Sequence, residues 1–292
     1  MTKNNNTSFP LYGLGTALIT PFTETGAVDY DALKRLLDIQ INGGVDYIVV
    51  LGTTGEAVTL SAEEKREVRQ FIVKYINGRL PLVLGLGGNN TAAVVSELNA
   101  AKEPPILDFA AILSVCPYYN KPSQEGLFQH FSAIAKESPI PVILYNVPGR
   151  TGVNMLPETV VRLHEAYPEK IVAIKEASGN LEQIKHLIHI SPIHVISGDD
   201  GIAAEVMNAG GVGLISVASN AFPEDFRKIV HEKDMDLQNK YAHIISLLFK
   251  EGNPVGIKAV LAQKGIIGNY LRLPLVPASE NLQAEIRKSI EF

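Results

Sequence analysis

The sequence has little cysteine, no long apolar run and no excess of basic residues. Cys116 is the single cysteine, so no disulfide can form within the chain and no cysteine cluster can bind zinc. Without a run of about 18 apolar residues no membrane-spanning helix is expected, and residues 1–10 lack the apolar core of a secretory signal peptide. The 26 basic and 31 acidic residues give a formal net charge of −5, whereas nucleic-acid binding requires a concentrated basic surface. We therefore expect a cytoplasmic protein without a nucleic-acid or membrane partner.

The overall composition is that of a folded globular protein. Hydrophobic residues make up 46% of the 292 residues and charged residues 20%, which is ordinary for this class. A chain of this length buries a large core. The length alone is compatible with two domains, although barrels of about 250 residues often fold as one unit.

Eight short apolar runs alternate with helical patterns in the first part of the chain. The runs are Leu14–Ile19, Val45–Leu51, Leu82–Leu86, Phe109–Val115, Val142–Tyr145, Ile171–Ile174, Val195–Ser197 and Val212–Val217. They are apolar on both faces, as the buried strands of a parallel sheet are. Their spacing is about the length of a βα unit.

The segments between these runs carry helix-start signals. Asp29 and Asn180 are candidate N-caps, and Ser61 with Glu64 forms a candidate capping box. Eight such units predict an α/β fold, namely a closed (β/α)8 TIM barrel. The alternative is a doubly wound open sheet, which usually has a glycine-rich phosphate turn after its first strand. Here Gly13 and Gly15 come before or at the start of that strand instead.

The strand signals stop after Asn220. The pattern predicts a helical stretch from Pro223 to Phe249, followed by helices over 254–263 and 280–290. We therefore expect a barrel domain at 1–223 and a C-terminal helical domain at 224–292.

Barrel enzymes place their sites at the carboxyl ends of the strands, and Lys175 stands at such an end. It directly follows the apolar run Ile171–Ile174. Apolar surroundings disfavour the charged ammonium form, and a neutral amine can attack a ketone to form a Schiff base. The alternative is an ordinary surface lysine at a strand end.

Other strand ends carry groups suited to the same chemistry. The Tyr145 phenol is placed to carry protons, and Thr53 and Thr54 lie in a glycine-flanked turn whose backbone can approach an anion. Arg150 can bind a carboxylate with two parallel hydrogen bonds. The alternative for Tyr145 is a hydrogen-bonded tyrosine at the edge of the core. For the two threonines it is a tight turn that binds no ligand, and for Arg150 it is a surface ion pair.

Several candidate sites are rejected. Asp199 and Asp200 lack a matching set of metal ligands, and an aspartate in this position is a common helix cap. His186 and His189 belong to a solvent-facing helical pattern, and Cys116 between Val115 and Pro117 is expected to be a buried, inert thiol. No Walker-type loop is present. We therefore expect neither a metal nor a nucleotide cofactor.

Five segments together resemble one enzyme family. They are GTTGE at 52–56, PYYNKPSQEGL at 117–127, YNVPGRTG at 145–152, IKEASGN at 174–180 and SGDD at 197–200. They are similar to the pyruvate-dependent class I aldolases, which include the dihydrodipicolinate synthases and the N-acetylneuraminate lyases. The resemblance extends over essentially the whole chain. Arg150 within YNVPGRTG favours the synthases, because the lyases usually lack arginine at this position.

The resemblance implies the roles of four catalytic residues. Lys175 forms a Schiff base with pyruvate, and Tyr145 donates and accepts protons above it. Thr53 hydrogen-bonds Tyr145 and continues the relay to Tyr119, which enters the site from the neighbouring subunit.

The resemblance also implies the substrate contacts. Thr54 holds the carboxylate of pyruvate with the backbone at Ile215 and with Gly198 nearby, while Arg150 receives the carboxylate of L-aspartate 4-semialdehyde. The implied reaction serves lysine and diaminopimelate biosynthesis, without a metal or cofactor, in a homotetramer built from two tight dimers. Two alternatives stay open, namely another pyruvate aldolase such as an N-acetylneuraminate lyase and a non-catalytic binding barrel.

The residues expected around a regulatory lysine site depart from the family pattern. Asn89 and Tyr118 match the pattern of the lysine-inhibited enzymes. Ala57, Ala62, Lys65 and Ala93 instead stand where those enzymes tend to have a serine, two histidines and a glutamate. The missing glutamate removes the partner of a lysine ammonium, and Lys65 adds a like charge. We therefore expect weak or no inhibition by L-lysine.

Overall fold

Eight parallel strands close into a barrel in the computed structural model, which describes residues 11–100 and 106–290. The strands are β1 (Gly13–Ala17), β2 (Tyr47–Val50), β3 (Leu82–Gly85), β4 (Ala111–Val115), β5 (Val142–Asn146), β6 (Ile171–Glu176), β7 (His194–Ser197) and β8 (Gly213–Ser216). Each strand pairs with the next one along the chain, and β8 pairs with β1. The predicted (β/α)8 barrel is confirmed, and the open-sheet alternative is wrong.

Helices alternate with the strands and continue after β8. They are α1 (Tyr30–Asn42), α2 (Ala62–Ile76), α3 (Thr91–Ala100), α4 (Gln124–Glu137), α5 (Pro148–Thr151), α6 (Pro157–Ala166), α7 (Leu181–Ile190), α8 (Ala203–Ala209), α9 (Pro223–His231), α10 (Met235–Lys250), α11 (Val255–Gln263) and α12 (Glu280–Ile290). The three predicted N-terminal caps are confirmed. Asp29 accepts a hydrogen bond from the amide of Ala32, Asn180 accepts one from Gln183, and Ser61 and Glu64 form a reciprocal capping box.

Both faces of the strands are buried, which explains why the runs are apolar without alternation. One layer of side chains fills the barrel interior and includes Val49, Val83, Ile143 and Ile196. The other layer lies between the strands and the helices. The polar ends of the strands are thereby left at the rims, where a site can form.

Strand ends differ from the limits of the apolar runs. β6 continues through Lys175 and Glu176, whereas its apolar run stops at Ile174. The reason is the backbone ladder, in which Tyr145 pairs with Lys175 and Asn146 pairs with Glu176. Backbone pairing does not depend on side-chain polarity, so the strand extends into the polar rim.

The predicted helix from Pro223 to Phe249 is wrong in one respect, because it is two helices. Lys233 has a left-handed backbone (φ 56°) between α9 and α10, and Asp234 then caps α10 by accepting from the amide of Leu237. The two later helices lie at Val255–Gln263 and Glu280–Ile290, close to the predicted ranges. Helices α10, α11 and α12 pack against one another.

Within residues 11–100 and 106–290, no helix combines the length and the apolar character needed to cross a bilayer.

Candidate active site

The carboxyl ends of β5 and β6 bring a lysine and a tyrosine into contact. Lys175 and Tyr145 are register partners on these adjacent strands. The Lys175 Nζ lies 4.4 Å from the centroid of the Tyr145 ring. Lys175 is 6% exposed and Tyr145 is 7% exposed, so the amine is largely shielded from water. This arrangement places a shielded amine beside a phenol ring.

Gly198, directly after β7, leaves room for the aliphatic part of the Lys175 side chain. A Cβ atom on Gly198 would lie 2.9 Å from the Lys175 Cε and 2.5 Å from the Ala177 Cβ. Both distances are shorter than ordinary van der Waals contacts. Glycine at this position therefore allows Lys175 to pass close to the backbone.

A strained turn follows β2 and carries the two candidate threonines. Leu51 and Glu56 bracket the turn with left-handed backbones (φ 58° and 51°), which non-glycine residues seldom adopt. Between them, Thr53–Gly55 forms a short 3-10 turn in which Thr54 is buried and Thr53 is exposed. Such strained positions cluster at functional sites.

Asn253, which sequence reasoning missed, connects this turn to the candidate acceptor site. Its side-chain Nδ2 donates to the Thr54 Oγ1 at 3.0 Å, and its main-chain carbonyl accepts from the Arg150 guanidinium at 3.4 Å. Asn253 lies just before α11, far from the strand ends in sequence. No periodicity or strand-end position singles it out, because only the folded chain places the C-terminal helices at this rim.

A cavity of about 540 Å³ opens at the same rim. Thr53, Tyr145 and Arg150 all contribute to its wall. Lys175 borders Tyr145 and is not in the wall itself. The cavity continues outward past Lys65 of α2 and Glu97 of α3. Its volume is ample for a small organic acid.

The loop after β4 carries a pair of exposed tyrosines. Tyr119 is 89% exposed with a left-handed backbone (φ 73°), while Tyr118 lines the cavity. Among the hydrogen bonds of the described residues, none joins Tyr119 to Thr53, and none joins Thr53 to Tyr145. Within one chain, Tyr119 points into solvent.

The ends of β7 and β8 are organised by two aspartates. Asp199 accepts from the amide of Gly201, which confirms its expected role as a helix cap. Asp200 is fully buried and accepts from the amides of Val217 and Ala218, each at 3.1 Å. Burial raises the pKa of Asp200 to about 6. The segment that follows the buried Ile215 on β8 is thereby held in place.

A buried polar network lies behind the lysine. The Glu176 carboxylate accepts from the Asn146 Nδ2 at 2.9 Å, from the Gln183 Nε2 at 3.2 Å and from the Ser178 amide at 2.8 Å. Glu176 and Asn146 directly follow Lys175 and Tyr145 in their strands. The network therefore ties together the two strand ends that carry the amine and the phenol.

The rejected candidates are placed as follows. Cys116 is fully buried, and burial raises the pKa of its thiol, as expected for an inert cysteine. His186 is half-exposed near Glu158 at 3.7 Å. In the part of the chain that the structure describes, no group of three or more histidine, cysteine, aspartate or glutamate side chains is arranged to hold a metal ion.

Comparison with known proteins identifies the family of the chain. The sequence model of the Dihydrodipicolinate synthetase family matches residues 10–292. A 4-hydroxy-tetrahydrodipicolinate synthase of Parabacteroides distasonis is 48% identical over 287 residues, which cover 95% of each chain. The crystal structure of the Acinetobacter baumannii dihydrodipicolinate synthase with pyruvate is 41% identical, with a TM-score of 0.90 over 95% of this chain and 97% of that one. A monomeric dihydrodipicolinate synthase variant is 37% identical, with a TM-score of 0.90 over 96% of this chain and 95% of that one. The chain belongs to the dihydrodipicolinate synthetase family.

Proposed function

We propose that the chain condenses pyruvate with L-aspartate 4-semialdehyde to give 4-hydroxy-tetrahydrodipicolinate, in lysine and diaminopimelate biosynthesis. The observation that carries the proposal is the shielded Lys175 amine against the Tyr145 ring. The names of relatives that align with nearly the whole chain support the reaction, and the pyruvate complex of the Acinetobacter baumannii enzyme supports the first substrate.

The chemistry begins with a Schiff base on Lys175. The Lys175 amine attacks the keto carbon of pyruvate, and loss of water gives an iminium. The iminium withdraws electrons from the methyl group, whose proton leaves to give an enamine. The enamine carbon attacks the aldehyde of the second substrate, and the oxygen formed there takes up a proton. The amino group of that substrate then displaces Lys175 and closes the ring. In this scheme the Tyr145 phenol carries the protons.

The two substrate carboxylates are assigned to different sides of the rim. Thr54, the backbone at Ile215 and the close approach at Gly198 form the pyruvate side beside Lys175. The exposed guanidinium of Arg150 forms the acceptor side, where a charge-assisted pair of hydrogen bonds orients the semialdehyde. Asn253 contacts residues on both sides, which supports their belonging to one site.

The last residue of the proton relay, Tyr119, is assigned to a second copy of the chain. In the proposal, Tyr119 of a neighbouring subunit completes the proton path from Thr53 to solvent. The enzyme is then a cytoplasmic homotetramer that uses neither a metal nor a cofactor. The strong exposure of Tyr119 in a single chain supports this placement. We also retain the division into a barrel domain at 1–223 and a helical domain at 224–292 as a proposal.

Borohydride trapping tests the function. Incubation with pyruvate and borohydride should attach one reduced pyruvate to the peptide that contains Lys175, and addition of the semialdehyde without borohydride should consume both substrates. Modification of another residue would contradict the Schiff-base assignment. Turnover of N-acetylneuraminate without turnover of the semialdehyde would instead identify a lyase.

A further inference from the structure

A buried ion pair joins the C-terminal helices to the threonine turn. The Lys258 ammonium on α11 contacts the Glu56 carboxylate, and their side chains are 0% and 1% exposed. The Lys258 Nζ also donates to the carbonyl of Tyr270 at 3.1 Å and lies 4.1 Å from the centroid of the Phe22 ring. This amine is therefore held by several separate segments of the chain.

A buried ion pair usually contributes little to the net stability of a fold. Removing both charges from water costs much of what their attraction returns, and well-packed apolar residues often serve as well. Burial lowers the pKa of Lys258 to about 8 although Glu56 opposes this shift. The desolvation cost is therefore substantial, and a gain in stability alone does not explain the pair.

The position of Glu56 in the chain suggests what the pair does. Glu56 comes two residues after Thr54 and has a left-handed backbone (φ 51°), which is unfavourable for a residue with a side chain. Its carboxylate is fixed by Lys258 and by the backbone amide of Arg272 at 3.2 Å. Contacts from another segment thus hold the turn in a conformation that it would not keep alone.

A second contact from the same C-terminal segment reaches the same turn. Asn253 lies five residues before Lys258 and donates to the Thr54 Oγ1. Thr54 is therefore held through its side chain by Asn253 and through the backbone by Glu56. Both restraints originate at the start of α11.

We propose that Lys258 and Glu56 are positioning residues, whose ion pair holds the turn Thr53–Gly55 so that Thr54 faces the pyruvate carboxylate beside Lys175. Neither residue touches substrate in this proposal, and the pair acts on pyruvate binding more than on the semialdehyde. The inference rests on the proposed function, because that function assigns Thr54 to pyruvate.

The test uses a double variant that removes both charges. Glu56→Gln alone would leave Lys258 buried without a partner and would destabilise the fold, whereas Glu56→Gln with Lys258→Met keeps the volume and removes the unpaired charge. We expect a melting temperature close to that of the parent and at least a tenfold rise in the pyruvate concentration that gives half-maximal borohydride trapping. The KM for the semialdehyde should change less than twofold.

Glu285→Gln is the matched control. It breaks the half-exposed Lys250–Glu285 pair between α10 and α12, which lies in the same helical region, and it should leave trapping unchanged. If the double variant does not fold, Glu56→Asp decides the question, since it keeps the charge but shortens the reach. It should raise the half-maximal pyruvate concentration several-fold without changing the semialdehyde KM.

Three outcomes would overturn the inference. The first is unchanged pyruvate trapping in the folded double variant. The second, if the double variant does not fold, is unchanged trapping in Glu56→Asp. The third is an equal rise in the half-maximal pyruvate concentration and in the semialdehyde KM, in whichever of these variants folds. Failure of the proposed function is distinguishable, because the parent protein would then trap no pyruvate at Lys175.

Discussion

Lys175 and Tyr145 are neighbours by strand register, with the Lys175 Nζ 4.4 Å from the Tyr145 ring centroid. Their separation is set by the hydrogen-bonded ladder between β5 and β6 and does not depend on a loop. Sites built on strands hold their groups more accurately than sites on loops. The amine and the phenol are therefore preorganised before a substrate arrives.

Lys175→Arg should abolish Schiff-base formation. A guanidinium stays protonated and is a poor nucleophile, although its size and charge resemble those of lysine. Mass mapping after treatment with pyruvate and borohydride should find no modified peptide. Lys185→Arg, an exposed substitution on α7, is the control and should retain full trapping. Persistent trapping in Lys175→Arg would assign the nucleophile to another residue.

Arg150→Ala should weaken the acceptor side. Loss of a charge-assisted carboxylate contact costs about 1.5–3 kcal/mol, which corresponds to roughly 10- to 150-fold in kcat/KM for the semialdehyde. Steady-state kinetics with each substrate varied in turn provide the measurement. Arg162→Ala removes an exposed arginine on α6 and serves as the control. A variant in which only pyruvate binding weakens would refute the assignment of Arg150.

Gly198→Ala should displace the lysine side chain. The added methyl group would lie 2.9 Å from the Lys175 Cε and 2.5 Å from the Ala177 Cβ, so the lysine side chain must shift from its position beside Tyr145. A shift of about 1 Å in a catalytic group can reduce turnover roughly 100-fold. Gly88→Ala is the control, since its methyl group would make an ordinary 3.5 Å contact with Val94. Normal turnover of a folded Gly198→Ala enzyme would show that the close approach is unimportant.

Tyr119 and Lys175 should complement each other between chains. Tyr119→Phe and Lys175→Ala should each be nearly inactive alone. If Tyr119 enters the neighbouring site, mixed oligomers contain some sites with both native residues and recover activity. The measurement is activity after subunit exchange, with exchange verified by mass spectrometry of differently tagged chains. Complete exchange without recovery would place Tyr119 and Lys175 in the same chain's site.

L-Lysine should inhibit weakly or not at all. Ala57 and Lys65 lie in the cavity wall, where the small alanine offers no hydrogen-bonding group and the Lys65 ammonium repels the ammonium of an L-lysine ligand. Initial rates at saturating pyruvate, measured up to millimolar L-lysine, test this expectation. Glu97 also lines this cavity, so strong inhibition at sub-millimolar lysine that Glu97→Gln removes would contradict the prediction and identify the compensating carboxylate.

Local physics made most of the fold predictable. Eight apolar runs and the caps at Asp29, Ser61 and Asn180 determine strands and helices within a few residues, because desolvation and capping act over short distances in the chain. The break at Lys233 escaped this reasoning. Helical apolar patterns lie on both sides of His231–Asp234, and this short polar stretch does not by itself show that the left-handed Lys233 ends one helix before the next begins.

The site divides in the same way. The sequence by itself determined that Lys175, Tyr145 and Arg150 lie at or just after the carboxyl ends of strands and share one rim, since parallel strands in a barrel end on the same side. Only the tertiary structure decided that Asn253 contacts Thr54 and that Lys258 contacts Glu56. These pairs are separated by about 200 residues, and their contact depends on how α11 packs onto the barrel. No local sequence pattern predicts such packing, because it depends on how side chains from the whole chain pack together in the core.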